Sequence, residues 1–256
     1  MSPSYRSKEE ALQAYEKRIK FARDQFAVSK GISRMISPEI DSRSMLAFLL
    51  YFSATSVSIT LPVEDWIRRS GEMCSSQGLN DIAKALLLHS QSEANHHQYH
   101  INDYYALAEF WNARYFPPLE SDFLEKHQTT NGGARYCEIH EQNIASSSPY
   151  CQFAIEYEIE LLPVLYGNRF VQNCVRLLGE EILKGMTFSM SHIKFDVAHS
   201  KFNAAYIGRL IIDDPDRLES LVAIGTETLN AFGGHLTECM DAAENLSKIY
   251  DSMATV

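Results

Sequence analysis

The sequence predicts an all-α protein folded as a single domain over residues 1–256. Three observations carry that expectation. Apolar residues recur with a helical period along nearly the whole chain, the interruptions combine Pro with Ser or Asp, and no alternating apolar–polar run bounded by turn residues is present to build a sheet. The length is enough to bury a sizeable core, and no repeat, low-complexity stretch or linker divides it.

The expected helices follow in order. A charged, amphipathic segment covers 8–29, and "SPEID" after Met35 separates it from 41–60. Within and just beyond that second helix, Met45 to Val63 carries no charged residue and is nearly long enough to span a bilayer. It is rich in Ser and Thr, Pro62 falls at its end and it lacks the usual basic flank, so it reads as a buried core helix and not a membrane span. A helix over 62–76 starts at that proline, and one long helix is expected over 79–114. "FPPLES" at 116–121 breaks the pattern, helices follow over 119–128 and 133–146, and "SSSP" at 146–149 opens the next, over 150–177. The last two are 179–208 and 216–249, divided by "DDPDR" at 213–217.

Composition limits the function. The formal net charge is -10 and no block of Lys or Arg occurs, which argues against a nucleic-acid partner and leaves a small molecule as the default ligand. Cysteines at 74, 137, 151, 174 and 239 are odd in number, widely spaced and form no Cys-x-x-Cys pair, which fits free buried thiols in a reducing compartment. The N-terminal "MSPSYRSKEEALQAYEKRIK" lacks the apolar core and cleavage site of a secretory signal, so a cytoplasmic location is expected.

Two clusters carry the chemistry. In "MSHIKFDVAHSKF", His192, Asp196 and His199 form a His-x-x-x-Asp-x-x-His pattern that places two imidazoles and a carboxylate on one helical face, a ligand set suited to Fe(II) or Mn(II). In "HSQSEANHHQYHIND", Glu93, His96 and His100 share one stripe of the expected 79–114 helix, with His97 turned away. Either cluster alone could be a polar helix face. Two such clusters on separate helices point to a metal site built from inward-facing side chains of a bundle. A third source is "CQFAIEYEIELLPVLYGNRF", where Glu156 and Glu160 share a face and Glu158 points away from both. Glu64, just after Pro62, is either a further carboxylate ligand or a first-turn residue favoured by the helix dipole. Asn203 and Tyr206 continue the His192–Asp196–His199 stripe and are the positions expected to face a substrate. Arg169, Lys194, Lys201 and Arg209 lie near in sequence should the substrate carry a carboxylate.

On these residues the chain resembles the haem-oxygenase-like di-iron oxidases and oxygenases. The resemblance covers about residues 40 to 210 and matches the late motif at His192, Asp196 and His199 and the early carboxylate at Glu93. It leaves His96 and His100 both open as the early histidine, with the shorter Glu-x-x-His form slightly preferred. It favours Glu160 over Glu156 as the bridging carboxylate, because Glu160 has the family's separation from His192 and lies just before Pro163. Membership implies a helical bundle of about seven core helices, two Fe(II) ions, O2 as co-substrate, and oxidation of a small amino-acid or fatty-acid-like carboxylate in specialised metabolism. Oxidative C–C cleavage, decarboxylation, and nitrile or alkene formation are the expected outcomes. An external electron donor and a homodimer are compatible with it. The alternatives are N-oxygenation at the same site and a thiaminase-II-like hydrolase on the same scaffold, for which Cys137, Cys151 and Cys174 are available without a matching local signature. Haem ligation by an early-helix histidine is disfavoured, because the first histidine is His89.

Overall fold

The computed structural model describes residues 5–254, and among them every regular element is helical. Twelve α-helices occur: α1 Lys8–Ala27, α2 Lys30–Met35, α3 Ser42–Thr60, α4 Val63–Ser76, α5 Asn80–Ser92, α6 His97–Asn112, α7 Phe123–Lys126, α8 Asn131–Ala145, α9 Gln152–Leu162, α10 Asn168–Leu178, α11 Thr187–Asp213 and α12 Arg217–Ala254. The helix ends follow local chemistry. Ser7 accepts from the Glu10 amide to cap α1, Asp41 accepts from the Ser44 amide at 2.8 Å to cap α3, and Thr130 accepts from the Gly133 amide to cap α8.

The hydrophobic helix α3 runs through the centre. Met45, Leu46, Phe48, Leu49 and Leu50 are all buried, and their neighbours on α6 and α12 close over them. The stretch Ser42–Ser76 is long and apolar enough to cross a membrane, but 56% of its apolar window is buried inside the protein, as in a core helix. The 38-residue α12 packs along α1, α2, α3, α8 and α9 and serves as the spine. Its contact with α8 is backbone on backbone: a Cβ at Gly132 would lie 2.2 Å from the His235 amide nitrogen, so only glycine permits this approach.

Three departures from the expected helices shape the site. The 79–114 segment is two helices: α5 ends at Ser92, Asn95 takes φ 64°, and α6 restarts at His97. Asn tolerates the left-handed region, and the Ser92 hydroxyl donates to the His89 carbonyl at 2.6 Å, competing with the helix ladder where it ends. The 150–177 segment is nearly continuous but widens into a π-turn over Pro163–Gly167, since Pro163 has no amide hydrogen for the ordinary ladder. The 179–208 segment begins as a 3-10 turn over Glu180–Gly185 after Gly179, at φ 85°, has ended α10, so that α11 starts only at Thr187.

The N-terminal helix is tied to the core by a buried ion pair. Arg23 on α1 grips Glu158 on α9 with two nitrogens, at 2.7 and 2.8 Å, and the Tyr15 hydroxyl donates to the same carboxylate at 2.8 Å. Glu158 is 1% exposed and Arg23 22%, so the pair is largely shielded from water. Removing one partner strands the other charge. We expect Arg23→Ala to lower stability by about 3 kcal/mol or more. Arg18→Ala, which breaks an exposed pair with Glu219, should cause no measurable change. Urea unfolding of the two variants checks both.

Candidate metal centre

The residues that converge come from four helices. His89 on α5 and Glu93, the residue that caps α5 at its C-terminal end, are four residues apart and converge in one group. His96 lies on the far side of the break at the start of α6; Glu160 comes from α9; His192, Asp196 and His199 project from α11. Two groups of possible ligand atoms result, each within 4.8 Å: His89, Glu93, Glu160 and His199, and separately Glu93, His96 and His192.

Glu93 belongs to both groups through different oxygens. Its Oε1 is 3.3 Å from His199 Nδ1 and its Oε2 is 2.8 Å from His96 Nδ1. In the first group His89 Nε2 is 3.0 Å and His199 Nδ1 3.7 Å from Glu160 Oε1. In the second, His192 Nε2 is 3.2 Å from His96 Nδ1. Asp196 adjoins the first group, its Oδ1 lying 3.7 Å from His199 Nδ1. The sequence resemblance assigns the bridging position to Glu160. The structure instead divides the oxygens of Glu93 between the groups, while Glu160 turns its Oε2 to the Asn203 side-chain amide, which donates at 2.5 Å.

The electrostatics show what the cluster lacks. His89 Nε2, Glu160 Oε1, Asp196 Oδ1 and His199 Nδ1 are buried without a hydrogen-bond partner among the described residues. Burial, with Glu160 and Glu93 nearby, pushes the Asp196 carboxyl up to about 9, and burial and Glu93 push Glu160 well above the carboxylate range. Burial lowers His192 to about 4 in spite of the Phe188 carbonyl, to which its Nδ1 donates. That bond turns the Nε2 lone pair toward the cluster. Burial would raise Glu93 too, but its hydrogen bond to His96 holds it below the ordinary value. Convergent nitrogens and carboxylate oxygens, four of them without a donor, fit divalent cations held by nitrogen and oxygen.

The surroundings hold the ligands in place. The Asp103 carboxylate on α6 accepts from the Thr187 amide at 2.8 Å, the Thr187 hydroxyl at 2.6 Å and the Phe188 amide at 2.9 Å. It thereby caps α11, which has no cap of its own, five residues before His192. Phe188 stacks with its centroid 3.8 Å from the ring of His100 and 3.9 Å from that of His192. Gly167 lets α11 approach, since a Cβ there would come within 2.5 Å of Ile193 Cγ1.

The other sequence-selected residues take different places. His100 is fully buried against Phe188 and Phe52 and lines a cavity beside the cluster, but joins neither group. Glu156 lines the same cavity, accepts from Gln152 Nε2 at 2.6 Å and also joins neither group. Glu64 is exposed in the first turn of α4. Asn203 is fully buried and supports Glu160, and Tyr206 stacks on Phe153 at 4.8 Å; neither lines the cavity. His89 is the residue that sequence reasoning missed. Its signal was present as the His-x-x-x-Glu spacing to Glu93, which puts both on one helical face.

The cavity encloses about 150 Å³ and is walled mainly by apolar side chains, among them Phe48, Phe52, Ile59, Phe170 and Phe232. Glu93, Glu160, His192 and Asp196 form part of its wall. A second, more polar cleft, lined by Asn95, Gln98 and Asn102, reaches His96 and His199.

No protein-family profile matches the chain, and no curated protein matches it in sequence. Solved structures do match in fold. A domain with a haem-oxygenase-like fold from Shewanella denitrificans OS217 superposes with TM-score 0.70 at 13% identity, over 94% of this chain and 95% of that one. A TenA homologue from Pseudomonas syringae pv. tomato DC3000 gives 0.67 at 14% identity, over 94% and 98%. Haem oxygenase from Leptospira interrogans gives 0.58 at 12%, over 89% and 98%. The chain therefore has the haem-oxygenase-like fold. At these identities the likeness concerns architecture, and function rests on the site.

Two outcomes test this account. Asp103→Ala should cost about 1–2 kcal/mol in stability and weaken Co(II) binding about tenfold, read by urea unfolding and by titration of the Co(II) absorption bands. His140, stacked on Trp66 and bonded through Nδ1 to the Gln152 that holds Glu156, is pushed down to about 3 by burial. Its contribution to stability is complete above the unfolded value near 6.5 and is lost as pH falls toward 3. Relative to wild type, His140→Phe should therefore gain about 1.4 kcal/mol per pH unit as pH falls from about 6 to 4. Urea midpoints across that range measure the difference.

Proposed function

We propose that the protein is a non-haem di-iron oxidase or oxygenase that uses O2 to oxidise a small amino-acid or fatty-acid-like carboxylate. The observation that carries this reading is Glu93, whose two oxygens belong to two separate groups of buried nitrogen and oxygen atoms. His89, Glu160 and His199 with Glu93 Oε1 would hold one ion, and His96 and His192 with Glu93 Oε2 the other, with Asp196 beside them. Two Fe(II) ions bound there would supply the electrons with which O2 is activated.

The chain's own residues do the rest. The phenylalanines of the cavity exclude water and leave room for an aliphatic chain next to the cluster. His192 donates from Nδ1 to the Phe188 carbonyl, which fixes its tautomer, and Asn203 fixes the free oxygen of Glu160 by occupying the other. The polar cleft over His96 and His199 is a route by which an external electron donor could be served, and a homodimer is compatible with the reading.

A TenA-like reaction through a cysteine finds less support. Burial pushes Cys151 up to about 12 and Cys174 above the usual thiol range, and neither these nor the half-buried Cys137 lines the cavity. No histidine precedes His89, so α1 and α2 have none to offer a haem.

Anaerobic Fe(II) titration with far-UV circular dichroism tests the proposal. Wild type should bind two equivalents. Glu93→Ala should bind one at most, and His192→Ala should lose at least one, while Glu156→Gln keeps both; all retain their helix content, because packing depends on the apolar faces. Two full equivalents in Glu93→Ala would refute the shared carboxylate, and none in wild type would refute the di-iron reading.

A further inference from the structure

The cavity beside the cluster has acidic groups in its wall and no basic Lys or Arg opposite them. No Lys or Arg lines it, and its ionisable groups are Glu93, Glu156, Glu160 and Asp196 with His100, His192 and two tyrosines. The four cations near in sequence stand elsewhere. Arg169, Lys194 and Lys201 are exposed, and Arg209 pairs with Asp81 at 2.7 Å. A ligand carboxylate in the body of this cavity meets no Lys or Arg side chain.

Glu156 is the carboxyl of that wall which belongs to neither ligand group, and it is 4% exposed. A fully committed amide holds it. Gln152 donates from Nε2 to Glu156 Oε1 at 2.6 Å and to His140 Nδ1 at 3.0 Å, and its Oε1 accepts from Ser70 and Asn143. With both hydrogens and both lone pairs of the amide in use, Gln152 cannot turn round, so Glu156 Oε1 stays an acceptor and Oε2 is left free for the cavity. One buried polar atom in the same wall lacks a partner: His100 Nδ1, on a residue 1% exposed. Native interiors rarely leave such an atom unpaired, and it points to a ligand that brings a polar group into an otherwise apolar space.

We propose that Glu156 is a specificity-determining residue that receives the ammonium group of an aliphatic amine or amino acid, through Oε2, inside the cavity. The inference rests on the di-metal reading for the chemistry but not for the recognition. Burial, with Glu160 nearby, raises the Glu156 carboxyl to about 8; an ammonium group beside it favours the ionised form and a ligand carboxylate opposes it, so Glu156 selects by charge where the phenylalanines select by apolar surface.

The test uses the Zn(II)-loaded protein, in which the cluster carboxylates are neutralised, and isothermal titration at pH 7 with n-octylamine, 1-octanol and octanoate. In wild type, octylamine should bind at least tenfold more tightly than octanol. Glu156→Gln, which keeps the Gln152 bond and the volume, should lose that advantage while octanol binding stays within about twofold, showing the cavity intact. Equal affinity for amine and alcohol in wild type would overturn the proposal. So would an amine preference that survives in Glu156→Gln, since the nitrogen would then be held by zinc or by the cluster. Zinc content of the same samples separates the two readings. Fewer than two equivalents with the Glu156-dependent amine preference intact refutes the di-metal site and leaves the recognition standing; two equivalents without that preference does the reverse.

Discussion

Seven side chains that prefer water are gathered where α5, α6, α9 and α11 meet, and four of their nitrogen and oxygen atoms are buried there without a hydrogen-bond partner among the described residues. Three are carboxylates, and burial in company pushes Asp196 and Glu160 toward their neutral forms. Such a cluster costs folding energy unless a cation offsets it. Much of the surrounding structure serves to hold it against that cost. The Asp103 cap, the Phe188 stack and the bare backbone at Gly167 each fix the position of α11, and Asn203 fixes one oxygen of Glu160. Binding energy from metal would enter directly as stability, because these atoms come together only in the folded state.

The same scaffold carries polar networks of different purpose, and burial separates them. Glu158 faces α1, where a guanidinium and a phenol satisfy it completely. Glu160 and Glu156, two residues to either side, face the opposite way, toward the cluster and the cavity. One amphipathic helix thus carries a structural ion pair on one face and the chemistry on the other, a division set by the helical period.

How much of this was legible in the sequence depends on the range of the interaction. The all-helical class, the core role of Met45–Val63 and the late His-x-x-x-Asp-x-x-His face follow from periodicity, which is local. The separation of Glu158 from Glu156 and Glu160 was legible for the same reason. The break at Asn95 was not, because a helical period continues on both sides of it and a single left-handed residue leaves no compositional mark. With the break unseen, Glu93, His96 and His100 share a stripe; with it, His96 turns to the candidate ligand groups and His100 to the cavity. Asn203 was placed on the correct face, but its partner is Glu160, 43 residues away in sequence, and no local pattern encodes that contact. Glu64 followed the family's variable ligand position, and its exposure reflects the dipole-favoured first turn that was the other reading of it.

The joint at Asn95 has a geometric consequence. Ligands on one unbroken helix are spaced by its pitch, in increments of about 1.5 Å per residue, and cannot be adjusted without repacking the whole rod. Here Glu93 caps one rod and His96 begins another, so the distance between the two groups of candidate ligand atoms is governed by the angle at which α5 meets α6. The protein can set that distance through the packing of two helices, each anchored elsewhere in the bundle, and a change in the tilt of either would shift one group against the other with every candidate side chain still in place.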